Sequence, residues 1–306
     1  MSMSGPAESF SARLRLDMAC GLSLLTQLPT GWLLSPAQRV STAPWPMGRS
    51  IWCWPLIGAV IGALIGAIFC LLRLGHVAPL PAAGLALAVQ CVLTGGLHED
   101  GLADLADGCG GPSRERRLEI MRDSRIGSYG VLALSLSLLV RASSLAALPA
   151  GMVLLALVVS GCLARAALLV LPAFLTPARP DGLARSLSPL PRTPFWLGLI
   201  LAGASVGALA WLWADGPCVM SLWNSIQPSG KILSLSRQIW PHASGFYDAR
   251  LMVLHIGLLS VAATLAACGL VTVAARRLLG GYTGDVLGAV AVLTECFVLA
   301  SFTTLL

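Results

Sequence analysis

Charge is what this sequence has least of. Only 11% of its 306 residues are charged and 56% are hydrophobic, whereas a soluble domain is about a quarter charged. So few polar groups cannot coat a globule of this length, which excludes an ordinary soluble fold. A mean hydropathy of +0.81 agrees. Lysine is nearly absent: of 20 basic residues, all but Lys231 are arginine. No C-x-x-C pair occurs among the nine cysteines, which removes the common zinc and dithiol motifs. Seven of them (Cys20, Cys53, Cys70, Cys91, Cys162, Cys268 and Cys296) sit in apolar segments and read as small buried hydrophobes. A cleaved secretory leader is not expected, because the first ten residues are polar and no small-residue cleavage site follows a basic start.

Long apolar runs are what the chain does have. A spanning helix needs about 20 apolar residues, and seven runs qualify: 51–72, 79–97, 129–149, 151–172, 195–213, 251–275 and 286–306. The stretch from Leu14 to Leu34 is interrupted by Asp17, Gln27 and Pro29, and is predicted to be interfacial or re-entrant. The expected fold is all-α, a single integral-membrane helix bundle over 1–306. Alternation of the spans puts residues 1–50, 98–128, 173–194 and 276–285 on one side with 14 basic residues, against 4 on the other. The positive-inside rule makes the richer side cytoplasmic. The arginines therefore serve topology, and no nucleic-acid partner is expected. Residues 214–250 form an extracytoplasmic polar insert with no visible chemistry.

The few acids are concentrated. Seven of the 14 fall between Glu99 and Asp123. Asp100, Asp104 and Asp107 follow i, i+4, i+7 spacing, which puts three carboxylates on one face of a helix. Unneutralised, they repel at a membrane edge where desolvation adds to the cost. A Mg²⁺ ion, which takes one or two carboxylates along with waters and phosphates, removes that cost. The alternative is a solvated acidic loop. Glycines at 95, 96, 101, 108, 110 and 111 favour close backbone approach, as phosphate binding wants. Ser113 is placed to cap a short helix. Beyond that helix Arg122, Asp123, Ser124 and Arg125 follow, and arginine is the bidentate partner of phosphate. His98 beside the acids is either a base, a ligand or a hydrogen-bonded structural residue. Asp285 is placed to cap the last span, and Glu295 lies about 15 Å further along it. Ionisable residues at that depth face the bundle interior, so Arg141 and Arg165 are candidate partners, in a structural ion pair or in a substrate site.

The blocks Gly95-Gly-Leu-His-Glu-Asp-Gly-Leu-Ala-Asp-Leu-Ala-Asp-Gly108 and Leu118-Glu-Ile-Met-Arg-Asp-Ser-Arg-Ile-Gly127 resemble the paired central motifs of the cobalamin synthase family. Leu24–Pro29, Trp54–Gly58, Arg165, Ala178-Arg-Pro-Asp-Gly-Leu183 and Gly280–Ala289 resemble its other blocks, in the same order. Glu99 and Gln27 depart from the commoner residues. The resemblance implies a bacterial inner-membrane enzyme, multi-pass, with its active-site loop 98–128 in the cytoplasm. It would join adenosylcobinamide-GDP to α-ribazole or its 5′-phosphate, release GMP and use Mg²⁺. On that reading Asp100 and Asp104 hold the metal, with Asp107 third or behind them. Arg122, Arg125 and Ser124 bind phosphate, Asp123 or His98 accepts the hydroxyl proton, and Asp285, Glu295 and Arg165 complete the substrate cavity. Assembly into a homo-oligomer is an open alternative.

Two rivals are weaker. CDP-alcohol phosphotransferases also cluster aspartates at a membrane face, but carry Arg where Asp104 stands, and no later Gly-x-x-x-Asp-x-x-x-Asp pattern follows here. A cation transporter using Glu295, Arg141 and Arg165 as a relay leaves the loop acids and arginines unused.

Overall fold

The computed structural model describes residues 9–215 and 245–305. Most of the 214–250 insert lies outside those residues. The described residues form helices joined by short connections: α1 (Phe10–Leu25), α2 (Trp54–Leu74), α3 (Pro79–Thr94), α4 (Leu97–Gly108), α5 (Arg114–Ile120), α6 (Ser128–Ala147), α7 (Ala150–Phe174), α8 (Arg192–Asp215), α9 (Gly245–Leu279) and α10 (Gly284–Phe302). One-turn helices join α1 to α2 and follow α7. An isolated bridge pairs Pro177 with Tyr282, and no named strand occurs among the described residues.

Six helices are long and apolar enough to cross a membrane, or seven if the bent pair α3–α4 counts as one. These are the seven apolar runs in their expected order, and the protein is an all-α polytopic bundle. α1 is not among them. Its Asp17 is buried and bonds Arg49 at 2.6 Å and the Trp52 indole N–H at 3.2 Å, which pins α1 against the start of α2.

Burial ranks the spans. α7 is central, with 89% of its apolar window inside the bundle, and α10 follows at 72%; α6 at 28% and α8 at 11% present their side chains outward. Whole outward faces of Leu and Val along helices of this length suit a lipid surround. α2 lies along α7, while α10 packs against α4, α7 and α9.

The second span departs from expectation. It ends at Thr94, and the chain turns 92° before continuing as α4. Gly95 and Gly96 both have left-handed φ, +68° and +66°, a conformation that costs glycine little and other residues roughly 1–2 kcal/mol. The acidic motif therefore leaves the span and runs across its end.

The polar connections gather at that same end. Arg114 donates from Nε to the Leu279 carbonyl at 2.6 Å and from Nη2 to that of Ala178 at 2.9 Å, and Arg117 donates to the Leu278 carbonyl at 3.2 Å. The bonds to Leu278 and Leu279 satisfy open carbonyls at the end of α9, and the bond to Ala178 ties in the connection after α7. Ala178 N–H bonds Tyr282 O and Tyr282 N–H bonds Thr176 O, at 2.8 and 2.9 Å. Segments 98–128, 173–194 and 276–285 are thus one joined surface.

Candidate active site

Close packing of α4 on α10 builds the site. A Cβ on Gly101 would sit 2.8 Å from the Asp285 carbonyl oxygen, and one on Gly288 would sit 3.0 Å from that of His98. A side chain at Gly101 would force a shift and one at Gly288 would be tight, so two glycines facing each other let the helices touch. That contact brings Asp285 alongside Asp100 and Asp104. Asp285 was expected to cap α10. Instead Thr283 is the cap, with extended backbone and its hydroxyl accepting from Val286 N–H at 3.3 Å. Asp285 sits inside the first turn, so its carboxylate is free to bond Thr283 Oγ1 at 3.1 Å and to face Arg179 at 3.6 Å.

The three aspartates of α4 are on one helix but do different things. Asp107 accepts the N–H of Gly127 at 2.7 Å and of Gly130 at 2.8 Å. A carboxylate at a helix start complements its open N–H groups and dipole, so Asp107 fixes the start of α6. Asp100 and Asp104 both line a chamber of about 730 Å³ with Arg122, Asp123, Ser124 and Arg125. Asp100 also lines a second, narrower chamber of about 290 Å³ with His98, Arg179, Asp181, Thr283 and Asp285. The acids repel: burial first, then the charges of Asp100, Asp285 and Asp107, push the Asp104 carboxyl up to about 7, against the pull of Arg179.

The structure brings the loop arginines to the site in pairs. Arg122 reaches across to Asp181 at 3.1 Å. Arg125 clasps Asp123 at 2.7 Å and holds its carboxyl down at about 2. Both pairs are exposed, so each arginine can exchange its partner for a phosphate at little cost.

Glu295 and Arg165 are elsewhere. Glu295 bonds both Arg165 and Arg141, the latter at 3.0 Å, and accepts from Gln90 at 2.9 Å. Arg141 also holds Glu99 at 2.9 Å. Both arginines are 1% exposed. Neither chamber is lined by Arg141, Arg165 or Glu295. Of the two readings left open by the sequence, the geometry is that of an internal ion-pair network. It ties α6, α7 and α10 together and holds Glu99 at the base of α4.

Arg179 and Asp181 were not among the expected site residues. The available signal was a charged pair in a short polar connection, Ala178-Arg-Pro-Asp-Gly-Leu183, whose role spacing alone does not reveal. Arg179 donates to the Leu118 carbonyl at 2.9 Å, and its buried Nε has no partner.

The donor set fits a hard cation of one kind. Among the described residues, no group of three His, Cys, Asp or Glu side chains could hold a metal ion alone. Mg²⁺ needs only one or two carboxylates when waters and phosphate oxygens fill the remaining positions, and the mutually repelling Asp100 and Asp104 are such carboxylates.

Comparison with known proteins identifies the family. The family model described as cobalamin-5-phosphate synthase matches residues 17–303. A relative from Bradyrhizobium diazoefficiens, named adenosylcobinamide-GDP ribazoletransferase, is 39% identical over 278 residues, covering 89% of this chain and 87% of its own. Relatives of the same name from Rhizobium etli and Azorhizobium caulinodans are 36% and 38% identical, each covering more than nine-tenths of both chains. No solved structure matches. A family match running from α1 past the end of α10, together with its acid motif at the meeting point of two chambers, places this chain in the cobalamin-5-phosphate synthase family.

Proposed function

We propose that the protein is an adenosylcobinamide-GDP ribazoletransferase at the cytoplasmic face of a bacterial inner membrane. It would transfer the adenosylcobinamide phosphate group to α-ribazole or its 5′-phosphate and release GMP. The observation that carries the reading is the position of Asp100, the one charged residue that lines both chambers. A two-substrate transfer needs such a meeting point, because alignment of the reactants supplies much of the rate.

In the reaction the ribose hydroxyl oxygen attacks the phosphorus bonded to cobinamide. A new P–O bond forms to ribose, the bond to the guanylate oxygen breaks, and GMP departs with that electron pair. Arg122 and Arg125 give up Asp181 and Asp123 to bind phosphate oxygens, and Ser124 donates beside them. His98 in the narrow chamber, or Asp123 released from Arg125, accepts the hydroxyl proton. Asp107 keeps α6 and the arginine loop in register with α4. Asp100 and Asp104 would hold Mg²⁺, which supplies charge neutralisation on the diphosphate and the leaving oxygen when bound. Asp285 and Arg179 close the acid cluster from the other side. The buried Glu295–Arg165–Arg141 network supports the floor of the site.

Asp100→Asn and Asp104→Asn, purified in detergent, test the reading. Both are expected to lose GMP release by about a hundredfold or more, the scale for removing a key charge from a transfer site. Normal turnover with unchanged Mg²⁺ dependence in both contradicts the metal assignment.

A further inference from the structure

The two chambers differ in size and in chemistry, and the difference matches two different reactants. The narrow one, about 290 Å³, has an apolar wall of Leu24, Leu25, Trp54, Leu168 and Leu287. Its polar groups are gathered around Asp100: His98, Arg179, Thr283 and Asp285. The wide one, about 730 Å³, is where Arg122, Ser124 and Arg125 stand. Pockets of a few hundred Å³ enclose small ligands. A corrinoid macrocycle has no room in the first chamber, and the second carries two loop arginines, Arg122 and Arg125, against the single Arg179 of the first.

We propose that the narrow chamber is the acceptor subsite, and that it takes a small nucleoside with a flat apolar base. The base lies among Leu25, Trp54, Leu168 and Leu287, and the ribose points to Asp100. The donor diphosphate lies in the wide chamber, with its bulk outside. This rests on the ribazoletransferase reading. Three observations carry it. The wall is aliphatic and aromatic, so it offers shape to a flat apolar ring and has little to pair with a polar base. The one buried nitrogen without a partner at the polar end, Arg179 Nε, awaits an oxygen such as a sugar or phosphate carries. Only Leu97 and Asp100 are common to both chambers, so reactants placed this way meet at a carboxylate of the acid motif.

The test is steady-state kinetics of the full chain in detergent, with both substrates varied. Leu168→Phe and Leu287→Phe narrow the first chamber, and Leu134→Phe narrows the second. The first two are expected to raise KM for α-ribazole about tenfold or more, the scale of overpacking, with the donor KM changed less than about twofold. Leu134→Phe is expected to do the reverse. The wild-type enzyme gives a reading independent of any folding defect. Its KM should rise from the dimethylbenzimidazole riboside to the benzimidazole riboside, and again to the adenine riboside. Parallel rises of both KM values in L168F and L287F, or an acceptor KM indifferent to base polarity, overturn the subsite. If the wild-type chain releases no GMP with any acceptor, the transferase reading itself is what fails.

Discussion

Glu295→Gln should destabilise the bundle strongly, because the buried Arg165 loses its paired carboxylate. Arg141 and Arg165 are each 1% exposed. Arg141 retains Glu99 when Glu295 is neutralised, whereas Glu295 is the only carboxylate paired with Arg165 among the described residues. Gln keeps the shape and leaves a buried guanidinium without its counter-charge. Breaking a buried pair in this way costs about 3–5 kcal/mol. For a chain of this size that lowers the thermal midpoint by on the order of 10 °C. The assay is unfolding in detergent, followed by modification of the buried thiols Cys162, Cys268 and Cys296 with a fluorescent maleimide. Because the loss comes from the unpaired partner, Arg165→Gln combined with Glu295→Gln should recover about half of it. A midpoint drop below about 2 °C, or additive losses in the double variant, would refute the argument.

Further predictions concern the site. On the proposed metal assignment, Mg²⁺ and a proton compete for Asp104. Its carboxyl is raised to about 7 without the cation, so it binds a proton more readily as pH falls. Between about pH 8 and 6 the Mg²⁺ needed for half-maximal rate should therefore rise, by up to about tenfold per unit below 7; Mg²⁺ titrations at several pH values check this, and Asp104→Asn should flatten the trend. Gly101→Val should separate α4 from α10 and reduce kcat by tenfold or more, on the order expected for an ångström of misplacement, while circular dichroism still reports a helical bundle. Arg122→Ala breaks only an exposed pair with Asp181, so the midpoint should shift by the equivalent of at most about 1 kcal/mol while KM for the donor rises. Asp107→Asn leaves acceptor oxygen for only one of the two N–H bonds it now makes, and should loosen the arginine loop, seen as faster hydrogen exchange at 122–130.

The bundle was legible because its helices are long and apolar, a signal that survives any packing arrangement. The acidic motif was legible through its i, i+4, i+7 spacing, and Ser113 caps its helix as expected. What the spacing does not carry is direction across helices. Asp107 shares a face with Asp100 and Asp104, but the α6 start comes within its reach and uses it. Asp285 looks like a cap in one dimension, yet Thr283 has the capping backbone and Asp285 is left for the site. Glu295 and Arg165 were read as charges in apolar runs, and only the packed bundle separates an internal ion pair from a cavity wall. Arg179 and Asp181 were hidden because a tertiary bridge between Pro177 and Tyr282 brings their connection over α4.

Whether two substrates meet at Asp100 is decided by GMP release from the purified chain supplied with adenosylcobinamide-GDP and Mg²⁺. α-Ribazole or its 5′-phosphate should trigger release, with one corrinoid product formed per GMP, and Asp100→Asn should abolish it. Acceptor-independent release of GMP, or full activity in Asp100→Asn, would contradict a meeting at Asp100.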